Sequence, residues 1–188
     1  GHKRRMGDLG NPFFIDITEI DGFDDLHHAE GILKQAEERA AELYGSEETH
    51  YLVNGSTSGI LAAISGCTAA GGTVLIARNS HKSAYHAVLL RGLHVHYIYP
   101  QPAGKMGING PVTAENVDRL LEEHPETKMV YITSPTYDGV VSDVEQIAEV
   151  VHRRKLPLIV DEAHGAHFPF SEQFPKDSVS CGADVVIH

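Results

Sequence analysis

Between residues 50 and 188, short apolar runs alternate with helix-like stretches, and this alternation leaves few folds open to the chain. The runs at 50–53, 73–77, 94–99, 129–133, 156–160 and 184–187 are separated by helical segments near 58–69, 83–91, 113–123 and 143–154. Strands that read as continuous Val/Ile/Leu runs are buried on both faces, which requires helices above and below a mainly parallel sheet. The expectation is an α/β domain of three layers, α/β/α. Upstream, residues 24–44 place Ile32, Leu33, Ala36, Ala40 and Leu43 at the three-and-four spacing of an amphipathic helix, stopped by Gly45. Residues 1–23 read as an N-terminal loop segment and 24–188 as one large domain.

Composition enters where it excludes function classes. Lys plus Arg is 15 against 26 for Asp plus Glu, a formal net charge of -11. A surface this acidic repels phosphate backbones, so nucleic acid is not an expected partner. The longest weakly polar stretch, 59–72, carries Ser65 and Thr68 and falls short of the ~18 apolar residues of a membrane span. No secretory leader is legible in the basic start Gly1-His2-Lys3-Arg4-Arg5-Met6. Cys67 and Cys181 lack the spacing of a disulfide framework or zinc ribbon, which fits two buried thiols in a reducing cytoplasm.

In a parallel sheet, ligands collect beyond the carboxyl ends of the strands, and four such positions carry chemistry. Asn54-Gly55-Ser56-Thr57-Ser58-Gly59 combines turn-forming glycines, hydroxyl donors and a helix start, the ingredients of a phosphate cradle; hydroxyls there also serve as plain caps. Arg78-Asn79-Ser80-His81-Lys82-Ser83 offers a flat imidazole for stacking, or His81 as a plain helix cap, while Lys82 reads as solvated. Ser134-Pro135-Thr136-Tyr137-Asp138-Gly139 is a hydroxyl-rich turn. Leu158-Ile159-Val160-Asp161-Glu162-Ala163-His164 sets a carboxylate where a buried strand ends. Burying that charge costs several kcal/mol unless a cation meets it, so Asp161 demands a protonated ring nitrogen or a metal. A metal reading would use Asp161, His164 and His167. Their spacing lacks the general-base Glu of the zinc-protease helix and Gly165 disfavours a helix, so no metal is expected there.

A cofactor with a phosphate, a flat ring and a pyridine nitrogen is pyridoxal 5′-phosphate, and these segments resemble the large domain of fold-type I enzymes that use it. More narrowly, the chain is similar to the Orn/Lys/Arg decarboxylase family through Gly1-His2-Lys3, Asp16-Ile17-Thr18-Glu19, Asp24-Asp25-Leu26-His27, Asn54 to Gly59, Asn79 to Ser83, Pro135 to Gly139 and Asp161 to Phe168. The resemblance implies that Ser56, Thr57 and Ser58 hold the phosphate. It places His81 on one face of the ring and Ala163 on the other, Asp161 on the ring nitrogen, and His164 near the ring hydroxyl or the substrate. His81, Asp161 and His164 are the implied catalytic residues. The implied reaction converts lysine, arginine or ornithine to an amine and carbon dioxide, as in polyamine biosynthesis, by a cytoplasmic homodimer or higher homo-oligomer.

The family's cofactor-attaching lysine follows the strand that here reads Ala183-Asp184-Val185-Val186-Ile187-His188, and none of the seven lysines lies after it. The resemblance therefore implies an incomplete large domain, without the small C-terminal domain, and inactive on its own. Two competing readings are a transaminase or lyase of the same fold, and a non-catalytic subunit that keeps the fold. A third, metal-dependent hydrolysis, predicts stoichiometric zinc.

Overall fold

Burial decides which apolar runs become strands. In the computed structural model, which describes residues 12–14, 16–17, 19–104 and 107–188, five of them pair in a parallel sheet of order β2-β1-β3-β4-β5: β1 Thr73–Ala77, β2 His94–Ile98, β3 Thr127–Thr133, β4 Leu158–Asp161 and β5 Val185–Ile187. The expected α/β architecture is the one found. The central strands β1, β3 and β4 are almost wholly buried, as their unbroken apolar sequences require.

Alternate residues of the strands feed two cores. On one face Leu75, Val130, Ile132, Leu158 and Val160 pack with α4 (Ala114–Glu123) and α5 (Val144–Arg153). On the other, Ile76, Tyr131, Ile159 and Ile187 pack with α2 (Gly55–Cys67) and α3 (Lys82–Arg91). Both α4 and α5 begin on a side chain that caps the helix, Thr113 accepting from the Asn116 amide and Asp143 from the Gln146 amide. The chain divides into two compact units, residues 1–51 and 52–188, and the sheet belongs wholly to the second.

Three expectations are corrected. Residues 50–53 form no strand: Tyr51, Leu52 and Val53 are exposed and find no neighbouring strand to complete their hydrogen bonds. The first long helix, α1, runs over Ile32–Tyr44 and not from residue 24. Asp24 adopts φ 69 and its carboxylate accepts from the amides of Asp25, Glu30, Gly31 and Leu33, which holds 24–31 in a turn and caps α1 from upstream. Both cysteines are free but only partly buried, Cys67 because it ends α2 and Cys181 because it lies in the turns before β5. The motif Gly1-His2-Lys3, and Thr18 of Asp16 to Glu19, lie outside the described residues.

Candidate active site

All five strands run parallel, so their carboxyl ends share one rim; the loops leaving β1 and β3 carry His81 and Ser134 to it, and Asp161 ends β4 there. Asp161 closes β4 and is paired in register with Thr133 of β3 and Ile187 of β5. Two residues beyond Ile159, it shares the sheet face covered by α2 and α3. The side chain is only 5% exposed. Its Oδ2 accepts from the Tyr131 hydroxyl at 3.1 Å and its Oδ1 from the Ala163 amide at 3.2 Å. Among the described residues no Lys, Arg or His approaches it within ion-pair distance. A buried carboxylate fixed by two neutral donors, with no cation beside it among the described residues, could take a positive group.

Tyr131 escaped the sequence reading. It lies inside the run 129–133, and the signal for it was a phenol in an otherwise apolar strand two residues short of the rim. Burial, with the Asp161 carboxylate beside it, pushes its hydroxyl far above the ordinary tyrosine range, so it remains a neutral donor. Glu162 was missed as well. It is 1% exposed and accepts from the Ser178 amide at 3.1 and 3.2 Å, with His188 Nε2 at 3.3 Å. These bonds tie the segment after β4 to the chain that leads into β5. Gly165 makes the tie possible, because a Cβ there would stand 2.7 Å from both Glu162 Cγ and Pro135 Cδ.

The hydroxyl-rich segment Ser56 to Ser58 is the first turn of α2, which starts earlier than its alanines suggest. Gly59, one turn in, lies so near Ile187 that an added Cβ would meet that side chain at 3.2 Å. The helix start thus sits beside the end of β5, the strand paired with Asp161. Asn54 and Gly55 both take left-handed conformations, φ 68 and 64, and no side chain caps the first amides. Ser58 donates its hydroxyl to the carbonyls of Val53 and Gly55, which commits its one proton to the turn and leaves Ser56, Thr57 and the amides to meet an anion.

His81 is the N-cap of α3: its Nδ1 accepts from the Ser83 amide at 3.3 Å, with the Ser83 hydroxyl at 2.7 Å. An accepting Nδ1 leaves the ring proton on Nε2. The ring is held by one edge and exposed, and Lys82 beside it is exposed too. On the same turn the buried Oδ1 of Asn79 lacks a hydrogen-bond partner. Ala163 and His164, two and three residues after Asp161, are exposed, and the His164 ring stands edge-on to Tyr137 at 5.8 Å. His167 packs instead against Phe168 and Phe174, and Asp161, His164 and His167 bring no three donor atoms together among the described residues.

Comparison with known proteins places the chain in a family. Residues 6–188 match the family described as Orn/Lys/Arg decarboxylase, major domain. The chain belongs to that family. It is 43% identical over 173 residues to the uncharacterized protein YaaO of Bacillus subtilis, covering 92% of this chain and 36% of that protein. It is 37% identical over 193 residues to an arginine decarboxylase of Bacillus subtilis, covering 98% and 39%. The chain therefore spans less than half the length of these relatives. Among solved structures, the L-threonine transaldolase of Pseudomonas fluorescens superposes with a TM-score of 0.68 at 16% identity, over 91% of this chain and 38% of that one. That likeness shows the fold that this decarboxylase-family domain shares with fold-type I enzymes.

Proposed function

We propose that this domain binds pyridoxal 5′-phosphate and that the protein it serves decarboxylates a basic amino acid, arginine, lysine or ornithine. The observation that carries the reading is the buried Asp161, fixed by neutral donors and without a cation among the described residues. The residues present fit the cofactor. Ser56, Thr57 and the open amides of α2 suit a phosphate dianion, the exposed His81 ring and Ala163 suit the two faces of a flat heterocycle, and the unpartnered Asn79 Oδ1 leaves an acceptor at the same rim. When bound, the cofactor supplies an electron sink.

The chain's own residues do the rest. Asp161 would hold a proton on the ring nitrogen, because a carboxylate beside that nitrogen stabilises its charged form. The Tyr131 hydroxyl and the Ala163 amide hold the two carboxylate oxygens, so the charge is aimed before a ligand arrives. His81, anchored through Nδ1 to the start of α3, would position the ring by stacking. His164, next to Ala163, would serve the ring hydroxyl or the substrate. Lys82 remains a surface residue in this reading and is not the amine that attaches the cofactor.

Arginine is the first substrate to test, since an arginine decarboxylase is among the relatives. In the full-length protein, Asp161→Asn is expected to lower carbon dioxide release roughly 100-fold or more, the scale seen when one preorganised electrostatic group is removed. Undiminished release from Asp161→Asn sinks the reading. A keto product without carbon dioxide would move the protein to the transaminases of the same fold, and neither product from any of the three amino acids would favour a non-catalytic subunit. The proposal also takes the protein to be a cytoplasmic homo-oligomer with no nucleic-acid or membrane partner. No helix among the described residues is long and apolar enough to cross a membrane.

A further inference from the structure

His96 lies in the middle of β2, His124 caps the end of α4, and Glu126 immediately precedes β3. Because His96 pairs with Leu75, it points to the sheet face covered by α4 and α5, the side opposite Asp161. The fold brings three potential ligand atoms together: one nitrogen from each histidine and a Glu126 oxygen all lie within 4.8 Å of one another. Glu126 Oε1 is 3.4 Å from His96 Nε2 and 3.7 Å from His124 Nδ1. A tetrahedral zinc ion with bonds of 2.0 to 2.1 Å separates its ligands by about 3.3 to 3.4 Å. The carboxylate already stands close to that spacing from both imidazoles.

The two rings are stacked, with centroids 3.4 Å apart and an interplanar angle of 10°. Parallel rings aim their in-plane lone pairs side by side. A rotation about the soft χ2 torsion of either ring makes them converge. The side chains are 35%, 27% and 51% exposed, open enough for an ion to enter and for water to fill a fourth position. Two imidazoles and one carboxylate are a donor set of borderline hardness, matched to zinc and its neighbours in the first-row series and not to magnesium or calcium.

We infer that His96, His124 and Glu126 form a divalent-metal site of the zinc class that staples β2 to the turn between α4 and β3. β2 hydrogen-bonds to β1 alone within the sheet, so such a staple restrains one of its two edge strands. The site is independent of the proposed decarboxylation and lies away from the rim that carries Asp161.

The full-length protein, stripped with chelator and then exposed to micromolar zinc chloride, tests this. After desalting, the wild type is expected to retain one equivalent of zinc more than His96→Asn or Glu126→Gln. Zinc should also raise the thermal midpoint of the wild type and leave those of the variants unchanged. Cobalt(II) in place of zinc should give the intense visible bands of a tetrahedral centre in the wild type only. All three residues are partly exposed, so both variants should keep the circular dichroism of the wild type and its pyridoxal-phosphate uptake; if one misfolds, the other and His124→Gln carry the comparison. Equal zinc content in wild type and variants overturns the inference, as does binding that appears only at millimolar metal.

Discussion

Replacing the Tyr131 hydroxyl by hydrogen leaves Asp161 Oδ2 without the donor that holds it at 3.1 Å. Tyr131→Phe keeps the ring that fills the core against α2 and α3, so the loss is confined to one charged hydrogen bond. The expected cost is about 1–3 kcal/mol, the penalty for leaving a buried acceptor unsatisfied, measurable as a lowered urea midpoint at unchanged slope. The pH dependence has a definite sign. Native Tyr131 keeps its proton where an unfolded tyrosine, ionising near ~10, releases it. The native state thus binds more protons above that value, and this residue's contribution to stability is lost as pH climbs beyond it. The phenylalanine variant should show a shallower alkaline decline, and identical slopes would count against the Tyr131 environment described above.

At the scale of elements, the turn ahead of α1 is organised by Asp24, whose carboxyl is held well below the usual carboxylate range, first by the Glu30 amide and then by those of Asp25, Gly31 and Leu33. A depressed carboxylate stabilises fully above the unfolded value near ~3.9 and loses that contribution as pH falls through its lower native value. Asp24→Asn should therefore flatten the acid limb of an unfolding curve followed by the helix signal, and an unaltered limb would show that the turn does not depend on the charge. This same turn shows where reading the sequence stops. Apolar spacing locates Ile32 to Tyr44, but carboxylate-to-amide bonds spanning six to nine residues have no periodic trace. The five strands were legible because continuous apolar runs must be covered on both faces. Residues 50–53 carry the same pattern without a pairing partner, and a run of four residues cannot reveal whether one exists. Asp161 was legible as a charge ending a buried strand, whereas Tyr131 and Glu162 became visible only once β3 and the Ser178 turn were placed beside it.

For the whole molecule, α3 leaves Leu89 and Leu90 79% and 74% exposed, adjacent leucines on a domain otherwise carrying a net charge of -11. Exposed apolar neighbours of this kind mark association surfaces, in keeping with the proposed homo-oligomer. Sedimentation of the full-length protein is expected to give at least a dimer, shifted toward monomer by Leu89→Arg; a monomer at every concentration would reject that part of the proposal. The donors that grip Asp161 come from the polypeptide itself, one from the neighbouring strand and one from the residue two places on. Capture of the proposed cofactor would then be docking onto a finished floor and not coupled folding. Amide hydrogen exchange in β3 and β4 should be equally slow before and after loading, with any protection gained confined to the loops above them.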